Sequence, residues 1–195
     1  MQVSRTPRHF RARMRVMLIA SITAATAIMG WLYAIPSAVY SASGPLASAP
    51  VAGRPAPPFS VPALTGGGQV TLAQFAGHPL VITFFNSDCG VCWPDMSLLE
   101  KAYGRYRSRG LVIVGVGVQD TAGSLRQMIK SLNVTFPVGN DEKGASAARY
   151  RLTSIPTTVF VGGDGVVKSV LEGNLDDRTL QKRLVLILPR SASAP

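Results

Sequence analysis

The stretch Ser87-Asp88-Cys89-Gly90-Val91-Cys92-Trp93-Pro94 holds the only two cysteines of a 195-residue chain, with two residues between them. The apolar run Leu80-Val81-Ile82-Thr83-Phe84-Phe85 comes just before it and reads as a buried strand. After it, Met96, Leu98, Leu99, Ala102, Tyr103 and Tyr106 recur at helical spacing, which predicts a helix over about 90–108. The cysteine pair therefore falls where a strand ends and a helix begins. At such a junction, backbone N–H groups and the positive end of the helix dipole stabilise a thiolate at Cys89. A thiolate is the species that attacks disulfides, and Cys92, one turn on, is spaced to resolve the mixed disulfide.

Two other chemistries use a close cysteine pair. As a structural staple, a ring of roughly four residues contributes only about 2 kcal/mol in the loop-closure model, less than a longer loop. A zinc site needs two further Cys or His ligands, and the chain offers only His9 and His78. His78 stands between Gly77 and Pro79, where an exposed loop histidine is expected. Haem attachment needs a histidine directly after the second cysteine, and Trp93 is there. The expectation is a redox-active dithiol with no metal and no organic cofactor; metal handling and a structural staple remain the alternatives.

Outward from the dithiol, the N-terminal side sets the compartment. Arg5, Arg8, Arg11, Arg13 and Arg15 lie in a tail over 1–15 that has no acid, and no charged residue follows until Arg54. Val16 to Ile35 is an apolar stretch close to the ~20 residues a helix needs to cross a bilayer, so 16–36 is expected to be a transmembrane signal anchor. Trp31, Tyr33 and Tyr40 fall near its far end, where aromatics favour the interface. The arginine flank keeps the tail cytoplasmic and sends the remainder across the membrane. A cleaved signal peptide is the rival reading, although its apolar region is ordinarily only ~7–15 residues long.

The net charge of +10 loses half its size once the five N-terminal arginines are set aside, so it does not argue for a nucleic-acid partner. Residues 37–54 are rich in Ala, Ser, Pro and Gly and read as a flexible linker. A folded domain over 55–190 and a tail over 191–195 complete the organisation.

Within the domain, Phe59–Leu64 and Gln69–Leu72 read as short strands joined by Gly66-Gly67-Gly68, with a helical turn over Leu72–Ala76. Leu111–Val118 is a near-continuous apolar run, as in strands covered on both faces of a parallel sheet. Gly115 and Gly117 lie inside it without a following Lys-Ser/Thr, which removes the phosphate-loop reading. A helix over about Thr121–Leu132, an extended piece over Val134–Val138 and a short helix over Lys143–Tyr150 come next. Ser154–Leu171 reads as a hairpin turned at Gly162–Gly165, and Asp176–Leu188 as a closing helix. The order specifies an α/β fold with a central mixed sheet flanked by helices and an N-terminal β-hairpin.

Several motifs together carry a family resemblance: Gly53-Arg54-Pro55-Ala56-Pro57-Pro58-Phe59, Cys89-Gly90-Val91-Cys92 after a strand, Asp95-Met96, Ile155-Pro156-Thr157-Thr158 and the Gly163-Asp164-Gly165 turn. On these the chain resembles the thioredoxin-like superfamily, specifically the membrane-tethered TlpA/ResA/CcmG-type thiol–disulfide oxidoreductases. The resemblance implies a thioredoxin-like fold, Cys89 as nucleophile and Cys92 as resolving cysteine. It also implies a cis Ile155–Pro156 bond beside the dithiol, with Ile155 and Pro156 forming a substrate-binding edge for an extended segment. The implied partners are thiols and disulfides of exported proteins, such as apocytochrome c or a copper-site protein, and an upstream membrane thiol reductase. The implied location is the bacterial inner membrane, with the C-terminal domain in the periplasm or its equivalent.

The chain departs from the family pattern at three positions: Asp88 replaces a usual Trp, Val91 a frequent Pro, and Thr83 the buried acid of thioredoxins. Proton transfer at Cys92 must then use another group or water. An anionic Asp88 opposes thiolate formation at Cys89, whereas the helix terminus favours it. The alternative function is a Cu(I)-binding metallochaperone of the same fold, but relatives of the Sco type space their cysteines wider and add a distal histidine. A peroxiredoxin would need a Pro-Thr-Cys-Arg constellation, and Asn86 stands where the Thr should be.

Overall fold

A computed structural model of the protein describes residues 50–189. The expected tail at 1–15, the anchor at 16–36, residues 37–49 of the 37–54 linker and the 191–195 tail lie outside the described residues. No described helix is long and apolar enough to cross a membrane.

Strands β1 (Ser60–Pro62) and β2 (Gln69–Thr71) pair antiparallel with Val61 opposite Val70, and a 3-10 turn follows over Leu72–Phe75. Then come β3 (Leu80–Phe85), α1 (Cys92–Tyr106), β4 (Val112–Val118), α2 (Ala122–Ser131), β5 (Val138–Asp141) and α3 (Ala145–Arg149). The chain closes with β6 (Thr157–Val161), β7 (Val167–Glu172) and α4 (Asp177–Ile187). The main sheet runs in the order β5-β4-β3-β6-β7. β3, β4 and β5 are parallel, whereas β6 and β7 run antiparallel to their neighbours. This is the thioredoxin-like mixed sheet.

Strand period explains the layers. On β3, Val81 and Phe85 point to one face and pack with Met96 and Leu99 of α1, Leu125 and Met128 of α2, and Leu180 and Leu184 of α4. Leu80, Ile82 and Phe84 point to the other face, against Phe59, Val61, Val114, Val159 and Tyr150. All six β3 residues are buried, as two covered faces require. Helix α1 continues into a 3-10 turn ended by Gly110, whose φ of 85° is a left-handed conformation that favours glycine.

Two boundaries differ from the sequence reading. The extended piece expected at Val134–Val138 is instead a strand over Val138–Asp141, with all four residues buried although Gly139, Asn140 and Asp141 carry no apolar side chain. Backbone pairing makes this strand: Gly115 stands opposite Val138 and Val118 opposite Asp141. The β1–β2 pair covers its other side through a bridge from Ala63 to Gly139. The dithiol helix starts at Cys92 rather than near residue 90, because residues 89–91 form a turn closed by the Cys92 N–H donating to the Cys89 carbonyl at 3.0 Å.

The chain enters this domain along the β6–β7 hairpin. Gly53 N–H donates to the Val167 carbonyl at 2.8 Å, Ala56 N–H to Gly165 at 3.0 Å, and Val167 N–H to Arg54 at 2.9 Å. The buried Tyr150 hydroxyl donates to the Pro57 carbonyl at 2.7 Å, with its ring 4.8 Å from Phe84 and 6.3 Å from Phe59. Burial pushes its phenol well above the ordinary tyrosine range.

Gly139 tests the seam between β5 and the β1–β2 pair. A Cβ there would run into the buried Val61 side chain and come within 3.2 Å of the Pro62 carbonyl, which is backbone and cannot swing away. Gly139→Ala is expected to lower stability by about 1–3 kcal/mol, read as a lower urea midpoint.

Candidate active site

β3 carries the chain to the site. Its parallel neighbour β4 and antiparallel neighbour β6 both hydrogen-bond it, so the segment after Phe85 emerges from the middle of the sheet. That segment is pinned at two points. Ser87 N–H donates to Asp120 Oδ2 at 2.7 Å, tying it to the loop after β4. The Trp93 indole N–H donates to the Ser87 carbonyl at 3.0 Å, tying it to the first turn of α1. Pro94 falls in that same opening turn, where a missing N–H removes no helical bond.

Cys89 and Cys92 are joined as a disulfide, with Cα atoms 5.3 Å apart and a dihedral of 85° about the sulfurs. Their environments differ. Cys92 is fully buried in the cluster with Val81, Phe85, Met96 and Leu99, whereas Cys89 is half-buried at its margin and Val91 between them is 50% exposed. Of the pair only Cys89 has exposed surface, which is the asymmetry that an attacking and a resolving cysteine need.

The sequence reading left the proton partner of Cys92 unassigned, and the structure supplies a candidate. Asp95 lies three residues after Cys92 on the same side of α1, and it is 3% exposed. Both its carboxylate oxygens accept from Leu175 N–H at 3.0 Å, which fixes the segment before α4 against the start of α1. Burial raises the Asp95 carboxyl above its ordinary range, against the smaller lowering effect of that hydrogen bond. Thr83, on the same β3 face as Val81 and Phe85, is buried opposite Thr158, whose hydroxyl has no hydrogen-bond partner among the described residues. The Asp95-Met96 pair was visible as a motif, but nothing in the pattern announced that its acid would be buried.

The Ile155–Pro156 bond is cis. Phe84 stands opposite Thr157, so Pro156 comes to the same end of the sheet as the Cys89 loop. Pro156 is buried and its carbonyl accepts from Gly173 N–H at 2.8 Å. Ile155 is half-buried and packs at the margin of the Cys92 cluster together with Cys89 and Trp93. The structure thus brings all four candidate residues, Cys89, Cys92, Ile155 and Pro156, to one end of the sheet. His78 is exposed at the opposite end, next to the start of β3. Among the described residues no cluster of three or more His, Cys, Asp or Glu could hold a metal ion.

Comparison with known proteins places the chain in a family. The family model described as AhpC/TSA family matches residues 52–170. The thiol-disulfide oxidoreductase ResA of Bacillus thuringiensis subsp. konkukian is 26% identical over 137 residues, covering 70% of this chain and 79% of that protein. ResA of Bacillus subtilis is 26% identical over 129 residues, covering 66% and 72% respectively. Among solved structures, a secreted Mycobacterium tuberculosis disulfide oxidoreductase homologous to E. coli DsbE aligns with a TM-score of 0.61 at 22% identity, over 66% of this chain and 96% of that one. A thioredoxin-family thiol:disulfide interchange protein of Chlorobium tepidum aligns with a TM-score of 0.57 at 24% identity, over 67% and 95%. At those identities the two structures speak for the fold alone. With the family model spanning more than half the chain, the protein belongs to the AhpC/TSA family, as a thiol–disulfide oxidoreductase of the thioredoxin-like TlpA/ResA/CcmG type.

Proposed function

We propose that this oxidoreductase exchanges disulfides with exported proteins on the outer side of the bacterial inner membrane, held there by the apolar segment at 16–36. The observation that carries the exchange chemistry is the unequal burial of the two bonded cysteines, Cys89 half-buried and Cys92 fully buried. The location rests on the five arginines before the apolar segment and on the uncharged stretch that follows. Maturation of cytochrome c or of a copper protein is the role proposed from the resemblance, with a membrane thiol reductase resupplying electrons.

In the reduced enzyme, the Cys89 thiolate attacks one sulfur of a partner disulfide. A Cys89–partner bond forms, and the partner's second sulfur leaves as a thiolate that takes up a proton. Cys92 then gives up its proton, with Asp95 one turn away as the group that accepts it, and attacks the Cys89 sulfur. The enzyme disulfide forms and the partner departs with both sulfurs reduced. Run backwards, the same steps oxidise a dithiol. Ile155 and the cis-Pro156 edge would hold an extended partner segment against Cys89, whose bond angle for attack leaves little tolerance.

Cys89→Ser is expected to reduce exchange with a test disulfide at least about a hundredfold, since a serine hydroxyl is no thiolate. Cys92→Ser keeps the first step and lacks the second, so a covalent enzyme–partner adduct at Cys89 should accumulate and be visible by mass spectrometry. Native-rate exchange by Cys89→Ser would overturn the proposal.

Asp95 gives a pH test. Because burial raises its folded pKa, the folded chain keeps a proton that the unfolded chain releases. The stability contributed by this group is complete below the ordinary carboxylate pKa and is lost as pH rises through the raised folded value. Asp95→Asn should therefore show a flatter dependence of urea midpoint on pH above ~4 than the native chain. Its resolution step, followed by decay of the Cys89–partner adduct, should also lose a pH dependence that the native enzyme has.

A further inference from the structure

Asp88 stands directly before Cys89, in the place where the family usually carries Trp, and its side chain is exposed. Among the described residues it takes part in no hydrogen bond or ion pair, since the one ion pair there joins Lys168 to Asp164 at the far hairpin. A charge at this position has no structural task in the fold. It does lie within a Debye length, ~8–10 Å, of anything bonded to the neighbouring sulfur.

Its surroundings carry the same sign. Four segments meet at the dithiol end of the sheet: 86–95, 118–124, 152–157 and 172–177. Their convergence is fixed by the Ser87–Asp120, Pro156–Gly173 and Asp95–Leu175 hydrogen bonds. Together they hold Asp88, Asp95, Asp120, Glu172, Asp176 and Asp177, which is six of the chain's ten acids, and none of its twenty Lys and Arg. Asp88, Glu172, Asp176 and Asp177 are exposed, Asp120 is half-buried and Asp95 is buried. The nearest cations in sequence, Arg151 and Arg178, stand just outside these segments. In a chain of net charge +10, these four segments carry acids and no cation.

From this we infer that Asp88 is a specificity-determining residue: it selects partner segments whose cysteine is flanked by cationic side chains. The inference rests on the exchange reaction proposed above and adds the chemical class of its partners. Approach of a lysine or arginine to Asp88 strengthens as the Cys89–partner bond forms, and a carboxylate on the partner is repelled at the same point. The exposed Val91, on the other side of Cys89, supplies apolar contact that does not depend on partner charge.

The test uses the full chain, reduced and freed of reductant, with two tripeptides, lysine–cysteine–lysine and glutamate–cysteine–glutamate. Both have capped ends, and each is presented as its mixed disulfide with 2-thiopyridine. Cys89 attacks the peptide sulfur and the S–S bond to thiopyridine breaks; the released thiopyridone is read by absorbance. Cys92 then displaces the peptide thiol and closes the enzyme disulfide. The rate ratio of the two peptides is the readout, because any change in the Cys89 thiolate fraction multiplies both rates alike and cancels. The cationic peptide is expected to react roughly five- to tenfold faster at low salt, with the preference falling below about twofold at 0.5 M salt. Asp88→Asn should at least halve the low-salt ratio, while Asp164→Asn, at the far hairpin, should leave it unchanged. Equal rates for the two peptides, or a preference that Asp88→Asn does not alter, would overturn the inference and leave the exchange reaction standing. No reaction with either peptide would overturn the exchange reading itself, and this inference with it.

Discussion

The site depends on the double coverage of β3. A six-residue strand with neighbours on both edges and packed layers on both faces has no freedom to shift its register, because a slip of one residue would send Val81 and Phe85 to the wrong layer. The residues just beyond its end inherit that fixity. Ser87 and Trp93 then need only two hydrogen bonds to aim the dithiol turn. Reactivity at Cys89 is thus founded on packing several residues upstream, where no side chain takes part in chemistry.

The same strand divides labour between the two sulfurs. Helix α1 presents Cys92, Met96 and Leu99 to the core, so the second cysteine is buried as part of the ordinary apolar stripe of the helix. Cys89 precedes the first helical residue and escapes that burial. One sulfur belongs to the helix and one to the turn. Asp95, also on the buried side, is the one carboxyl beside that stripe, and its two contacts to Leu175 show how a buried acid is accommodated.

The sequence disclosed the parts governed by continuous apolar runs and by local chemistry. β3 and β4 were legible because strands covered on both faces are almost wholly apolar, with Thr83 the one polar side chain in the two, and the dithiol was legible because its residue types are rare. β5 was not legible. Its Gly-Asn-Asp end carries no strand propensity, and only pairing with β4 and cover from Val61 make it a strand. The burial of Asp95 and the Asp120 latch on Ser87 were also hidden, since both depend on segments 80 and 33 residues away in sequence. Long-range hydrogen bonds leave no periodicity behind them.

The strap over residues 53–56 has a geometric consequence. It runs beside the turn between β6 and β7, whereas Pro156 at the start of β6 and Cys89 beyond the end of β3 lie at the opposite pole of the sheet. A chain arriving through residue 50 therefore reaches the domain at its blunt, non-reactive pole. The backbone bonds that hold residues 53–56 in place therefore leave the dithiol end of the sheet uncovered by this strap.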